Sequence, residues 1–384
     1  MVARKEYREL IQQRLRNNPV VLILGPRQCG KTTLAREIAV GENAHFFDLE
    51  RPEDQHRLEQ PMLTLEPLRG LVIIDEAQLA PALFPVLRVL ADREETPARF
   101  LLLGSASPDL IRGTSETLAG RMAHVPMSGF DLGEVGIGHW RELWWRGGFP
   151  RSFVAENDEG SRAWREDFLL AFLERDLPMM GVEVAPALMR RFWTMTAHCH
   201  GQLWNASAIG SSLGESHPTM RRRLDVFCQA FVLRQLPPWF ESLGKRIVKA
   251  PKVYVRDSGL LHTLLGIATG AGLESHPKLG ASWEGFALEQ ILRVTGERES
   301  YFWRTHAGAE LDLLIFLNGR RYGFEFKYAD APRLTKSMHI ALEDLKLERL
   351  FVVYPGHRGY ALNEWAETVA LGELCARLEI LKRQ

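Results

Sequence analysis

The sequence predicts a multi-domain α/β protein on three observations. Apolar strands alternate with helical stretches over the first 150 residues, a helix-turn-helix pattern occupies the middle, and a second strand-rich unit closes the chain. The expected boundaries are 1–150, a helical lid or connector at 151–200, a helix-turn-helix unit at 201–270 and the tail at 271–384. A length of 384 residues is enough for several cores. Hydrophobic residues at 46% and charged residues at 25% describe an ordinary globular chain. No apolar run approaches the roughly 20 residues that cross a bilayer, and the opening MVARKEYREL has no signal-peptide core. A cytoplasmic protein without membrane contact is therefore expected. Cys29, Cys199, Cys228 and Cys375 are scattered with no C-x-x-C pair, which argues against a disulfide framework or a zinc site. A formal net charge of zero excludes a uniformly basic coat and leaves local patches to be examined.

The first strand, VVLIL, runs into GPRQCGKTT, which fits G-x-x-x-x-G-K-[ST] between a strand and a helix. Such a turn presents free backbone N–H groups to an anion at a helix N-terminus. Gly25 and Gly30 permit the turns, Lys31 reaches the β and γ phosphates, and Thr32 ligates magnesium. ATP is thus expected against Gly25, Pro26, Arg27, Gln28, Cys29, Gly30, Lys31, Thr32 and Thr33. AHFFDL is the second strand, and the third, LVIID, delivers Asp75 and Glu76 to a strand end. There Asp75 holds magnesium and Glu76 orients or deprotonates the attacking water. The fourth, RFLLLGSAS, places Ser105 beside the γ phosphate as a reporter of hydrolysis; a plain glycine-serine turn is the other reading. Arg121 in SETLAGRM also has two readings, an arginine acting in trans on a neighbouring subunit's phosphoryl group or a surface salt bridge.

The ordered set GPRQCGKTT, LVIIDEAQ, LLLGSAS and SETLAGR, with GGFPRSF and FLERDLP downstream, resembles the AAA-type ATPases of a large prokaryotic family with a DUF4143 C-terminal domain. The resemblance spans essentially the whole chain. It implies an AAA-like core hydrolysing ATP to ADP and phosphate, with Lys31, Thr32, Asp75 and Glu76 at the nucleotide positions. A homo-oligomeric ring, with a hexamer considered, is the accompanying expectation, in which Arg121 would be the catalytic arginine. One departure is Leu103, where family members often carry threonine.

After GGFP, the stretch SRAWREDFLLAFLERDL puts Trp164, Phe168, Ala171 and Phe172 on one helical face, and Trp144 with Trp145 reads as packing. Glu174, Arg175 and Asp176 end this helix, read as a local ion-pair cluster. NASAIGSSLG, ESHP and TMRRRLDVFCQAF have helix-turn-helix spacing, and the strands VLRQL and KVYVR around SLGKR complete a winged helix. Between Val182 and Leu265 eleven basic residues face five acidic ones. Arg221, Arg222 and Arg223 near the start of the second helix, and Lys245 with Arg246 at the wing, are the expected DNA contacts. Winged helices also serve as ATPase lids and protein docking modules, so that reading stays open. His198, Cys199 and His200 point in different directions on a helix, which argues against a metal site.

In the tail, the helix WEGFALEQILRV, the strands YFWRT, ELDLLIFLNG and RRYGFEFKY, a later helix and RLFVVYP follow an order that resembles the PD-(D/E)xK nuclease fold, closest to archaeal Holliday-junction resolvases. The matching residues are Glu284, Asp312, Glu325 and Lys327. Asp312 and Glu325 on neighbouring strands can converge on magnesium, Glu284 completes its shell, Lys327 stabilises or deprotonates the attacking water, and Glu310 can assist. The combined expectation is an ATPase coupling turnover to binding or remodelling of DNA, branched or forked DNA in particular. The rival is a regulatory NTPase that recognises a protein partner and whose tail only binds.

Overall fold

The computed structural model describes residues 2–94, 98–105, 117–240 and 249–383. It divides into two compact units, Met1–Phe130 with Asp225–Val232, and Asp131–Leu224 with Leu233–Gln384.

In the first unit, helix α1 (Lys5–Asn17) precedes β1 (Val20–Leu24), α2 (Lys31–Ala39), β2 (Ala44–Asp48), β3 (Gly70–Asp75), α3 (Leu83–Ala91), β4 (Ala98–Gly104) and β5 (Met122–Pro126). All neighbours are parallel in the order β2-β3-β4-β1-β5. The four expected strands are present. The fifth, MAHVP, exposes alternate residues and has too little apolar length to announce itself. Every residue of β1 is buried, as a strand covered on both faces requires, whereas α3 turns Leu83, Phe84, Leu87 and Leu90 inward at helical spacing. Because β4 lies between β1 and β3, three adjacent carboxyl ends meet: the glycine-rich turn, Ser105 and the Asp75–Glu76 pair.

The second unit begins with short helices and α4 (Asp158–Ala171), whose N-cap Asn157 accepts from Gly160 N–H. Phe172–Asp176 continues it as one π-helical turn, which places Glu174, Arg175 and Asp176 on a widened helix. Next come α5 (Pro186–His198), β6 (Gln202–Leu203), α6 (Ala206–Leu213), α7 (His217–Gln229, of which the residues from Asp225 belong to the first unit), β7 (Leu233–Leu236) and β8 (Lys252–Val255). Asn205 caps α6 through Ala208 N–H, and Gly214 at φ +70° ends it, so the helix-turn-helix is set by local signals. The three short strands pair antiparallel in the order β6-β8-β7.

Helix α8 (Ser258–Leu264) leads to α9 (Leu279–Thr295) and a six-stranded sheet of β9 (Ser300–Arg304), β10 (Glu310–Leu317), β11 (Arg320–Phe326), β12 (Arg349–Tyr354), β13 (Tyr360–Ala361) and β14 (Ala366–Ala370). Its order is β13-β14-β12-β11-β10-β9, with α10 (Lys336–Leu345) before β12 and α11 (Leu371–Arg383) closing the chain. The Asn-Gly turn between β10 and β11 has φ +51° at Asn318 and +76° at Gly319, the two positive angles that match a hairpin's twist. The helix, three-strand meander, helix, strand order read from the tail is the order observed.

GGFP is a structural clamp. Asp257 accepts N–H groups from Gly148 at 2.7 Å and Leu260 at 2.9 Å, and a Cβ on Gly147 would lie 2.2 Å from its carboxylate. Beside it, buried His262 lies 3.1 Å from the Trp145 carbonyl through Nδ1 and 2.8 Å from Ser282 Oγ through Nε2, while Trp144 Nε1 donates to the same hydroxyl at 2.9 Å. Neutral imidazole fits this relay, donating from Nδ1 and accepting at Nε2. Burial pulls its pKa down to about 3. A histidine so depressed stabilises the fold above its unfolded pKa of about 6.5, and that stability is lost as pH falls from there towards 3. The expected loss is about 1.4 kcal/mol per pH unit. Urea midpoints at pH 7 and pH 4.5 should therefore differ by more in the wild type than in His262→Gln. Equal shifts would contradict the assignment.

Candidate functional site

The glycine-rich turn is shaped by its packing. A Cβ on Gly25 would sit 1.9 Å from the Met127 carbonyl oxygen, so only glycine fits where the chain leaves β1. Gln28 at φ +62° and Gly30 at φ +100° then wrap the loop onto the start of α2. Lys31 is buried and donates to the carbonyls of Gly25 at 3.0 Å and Pro26 at 2.9 Å, which holds its ammonium in the loop. Cys29, expected to contribute its backbone to the phosphate loop, packs its side chain inward. Its side chain is wholly buried and its carbonyl accepts from Arg4 Nη1 at 3.0 Å. Arg4 also donates to the carbonyls of Ser128 at 2.9 Å and Gly129 at 3.0 Å, tying the loop to the chain beyond β5. No local pattern in the sequence points to Arg4.

The acidic pair sits at the mouth of this loop. Thr32 Oγ1 donates to Asp75 Oδ2 at 2.6 Å, and Glu76 N–H donates to Asp75 Oδ1 at 2.9 Å. Burial raises the Asp75 carboxyl above its ordinary range, against the Thr32 hydrogen bond that favours the charged form. A hydroxyl and a carboxylate in contact form a hard oxygen donor set that suits magnesium. Glu76 has φ +53°, a left-handed conformation uncommon outside glycine that aims its side chain across the strand ends. Its Oε2 accepts from Ser105 Oγ at 3.2 Å and from Gln78 Nε2, with Arg27 Nη2 at 3.7 Å. Arg27 also pairs with Glu50 at 2.9 Å. Ser105 therefore contacts the expected catalytic base directly, while Leu103 is wholly buried in β4. Gln78, Glu50 and Arg4 are the residues that sequence reasoning missed. Only Gln78 carried a signal, its place in DEAQ.

Arg121 lies at the other end of the sheet. The register Val20↔Met122 sets it beside the start of β1, whereas the phosphate loop follows the end of that strand. Within its own chain it forms a bidentate pair with Asp92, Nη2 to Oδ2 at 2.9 Å, which is the surface salt bridge of the two readings.

The tail cluster corrects the expected magnesium shell of Glu284, Asp312 and Glu325. Lys252 Nζ, from β8, sits 2.7 Å from Glu310, 3.0 Å from Asp312 and 3.1 Å from Glu284. Its side chain is 2% exposed. Glu325 instead pairs with Lys327 at 2.8 Å. Tyr254 donates to Glu284 at 2.7 Å, and Phe326 N–H to Asp312 at 3.2 Å. Burial, then the Asp312 charge, pushes Glu284 up to about 7 and Glu325 up to about 8. Burial also acts on Asp312, yet Lys252 and Lys327 outweigh it and hold that carboxyl below its ordinary range. Among the described residues no group of three or more His, Cys, Asp or Glu could hold a metal ion. Lys252 escaped sequence reasoning because KVYV reads as a wing strand, sixty residues before Asp312.

The basic middle is corrected as well. Arg221 and Arg222 are exposed, but Arg223 is buried and bound to Glu215 at 2.6 Å. Lys245 and Arg246 lie outside the described residues. Arg234 contacts Glu289 through Nη2 at 3.0 Å and Glu297 at 2.8 Å, and Arg256 reaches the same two acids at 3.3 and 2.5 Å. Much of the local positive excess is thus neutralised by acids beyond Leu265, which a segment count cannot register. His200 is buried, with Nδ1 accepting from Val255 N–H at 2.9 Å, and a Cβ on Gly285 would sit 2.1 Å from its Nε2.

No helix among the described residues is long and apolar enough to cross a membrane. Residues 17–136 match the AAA domain family, 137–270 a domain of unknown function (DUF8612) and 279–374 a domain of unknown function (DUF4143). The chain is 49% identical over 374 residues to uncharacterized protein Rv2008c of Mycobacterium tuberculosis, covering 97% of this chain and 85% of that protein. The same figures hold for uncharacterized protein Mb2031c of Mycobacterium bovis. Among solved structures it is similar to a Walker-type ATPase of Pyrococcus abyssi, at 16% identity and a TM-score of 0.50, over 69% of this chain and 96% of that one. That likeness concerns the fold. The phosphate loop, the acidic pair and the parallel sheet that joins them are those of a P-loop ATPase, and the chain belongs to the family of AAA-domain proteins with a DUF4143 C-terminal domain that includes these mycobacterial relatives.

Proposed function

We propose that this protein is a magnesium-dependent ATPase whose nucleotide cycle governs what its C-terminal modules bind, DNA being the ligand considered first. The observation that carries the reading is the convergence of Lys31, Thr32–Asp75 and Glu76–Ser105 at three adjacent strand ends. Bound magnesium neutralises charge on the β and γ phosphates. Lys31 binds those phosphates, Thr32 and Asp75 would hold the ion, and Glu76 takes the proton of the attacking water. Ser105 and Gln78 fix the Glu76 carboxylate and sense where it points. Arg121, far from its own loop and paired with Asp92, would have to leave that pair to act in trans within a ring of identical chains.

Exposed Arg221 and Arg222 at the second helix of the helix-turn-helix support DNA as the ligand. The internal ion pairs of Arg223, Arg234, Lys252 and Arg256 favour the second reading, a switch that recognises a protein partner. A panel of single-stranded, double-stranded and four-way DNA at stated salt separates the two. On the DNA reading, one of them stimulates ATP turnover and binds with a salt dependence. Arg221→Ala and Arg222→Ala should each weaken that binding and reduce the salt slope by about one. An ATPase rate indifferent to every DNA, with no salt-dependent binding, leaves the partner switch.

A further inference from the structure

We infer that Lys252 is the resident cation of the C-terminal carboxylate cluster, standing where a divalent ion would otherwise sit, so that the tail is a docking module for strand β8 and not a phosphodiester-cutting site. The lysine ammonium donates to Asp312 at 3.0 Å and Glu284 at 3.1 Å and pairs with the Glu310 carboxylate at 2.7 Å. The side chain has no ready way out. At 2% exposure it is enclosed, its ammonium lies 5.8 Å from the centre of the Phe302 ring, and β8 is paired on both sides by β6 and β7. From the same strand Tyr254 donates to the Glu284 oxygen that Lys252 also contacts, so β8 supplies two donors to that one carboxylate oxygen.

The neighbouring charges repeat the pattern. Arg234 on β7 and Arg256 just past β8 pair with Glu289 on α9, the helix that also carries Glu284, and with Glu297 beyond its end. Three cations from one strand pair thus meet the acids of α9 and β10, and the hairpin is seated across the site. A magnesium ion entering there would meet an ammonium at contact distance, and it sheds its own water reluctantly. Displacing Lys252 would bury that ammonium without a partner, the costlier state for an enclosed charge.

Manganese titration of the nucleotide-free full chain, read by electron paramagnetic resonance, tests this together with a nicking assay on supercoiled DNA in manganese. Wild type and Asp312→Asn are expected to bind manganese alike and to show the same background nicking. Lys252→Met, which removes the ammonium and keeps the stem, should gain a site at least tenfold tighter than any in the wild type, and Lys252→Met/Asp312→Asn should lose it. A wild-type manganese site or nicking activity that disappears in a folded Asp312→Asn overturns the inference, as does a folded Lys252→Met with no new site. Should Lys252→Met not fold, Lys252→Met/Glu284→Gln restores the charge balance and replaces it in the comparison. Hydrolysis of ATP rests on other residues, so neither result bears on it.

Discussion

Glu76→Gln is expected to slow ATP hydrolysis by roughly 10²–10⁴-fold while nucleotide binding survives. The amide keeps the size of the side chain and can still accept from Ser105, so the strand ends should stay in place while the proton acceptor is lost. Lys31→Ala should behave differently. It removes the ammonium held by the Gly25 and Pro26 carbonyls, and with it the proposed contact to the β and γ phosphates, so binding and turnover should fall together. Phosphate release and equilibrium binding of a fluorescent ATP analogue, measured on both variants, distinguish the roles. A Glu76→Gln protein that turns over at the wild-type rate would remove Glu76 as the base, and surviving turnover in Lys31→Ala would refute the nucleotide site.

Arg234→Met should cost about 3–5 kcal/mol of stability, because it leaves Glu289 as a buried charge with only Arg256 to face it. The pair is enclosed on both sides, with Arg234 side-chain exposure at 7% and Glu289 at 4%. Burial opposes ionisation of Glu289, yet the two arginines prevail and hold its carboxyl below the ordinary range. Removing both charges with Arg234→Met/Glu289→Met should recover most of the loss, since apolar side chains of similar volume carry no desolvation penalty. Urea unfolding of the full chain measures both. A single variant within about 1 kcal/mol of wild type would show that the pair is solvated and not buried as described.

The parts of this protein that were legible in the sequence are those whose cause is local. The phosphate loop announces itself because glycines, a lysine and a threonine must follow one another over a single strand-to-helix turn. The caps at Asn205 and Gly214, and the Asn318–Gly319 hairpin, are likewise decided within a few residues. Strand β5 was missed because a half-exposed five-residue segment has too little apolar length to stand out. In the tail, the residue types on β10, β11 and α9 suggested a magnesium shell, whereas the cluster holds the Lys252 ammonium; clustered buried acids require a cation. They carried no information about which cation.

That choice belongs to the fold. Lys252 reaches Asp312 across sixty residues of chain, Arg234 reaches Glu289 across fifty-five, and Arg4 reaches Gly129 across one hundred and twenty-five. A charge has no directional or periodic signature along a chain, and its partner is whichever opposite charge the packing brings within a few ångströms. The amino-acid order therefore specified a nucleotide-binding turn, its acidic companion and the order of the elements. Packing decided that Glu76 would be held by Ser105 and Gln78, that Arg121 would lie far from its own loop, and that the basic middle would spend much of its charge inside the molecule. Burial is the physical reason, for it makes an unpaired charge costly and so turns proximity into pairing.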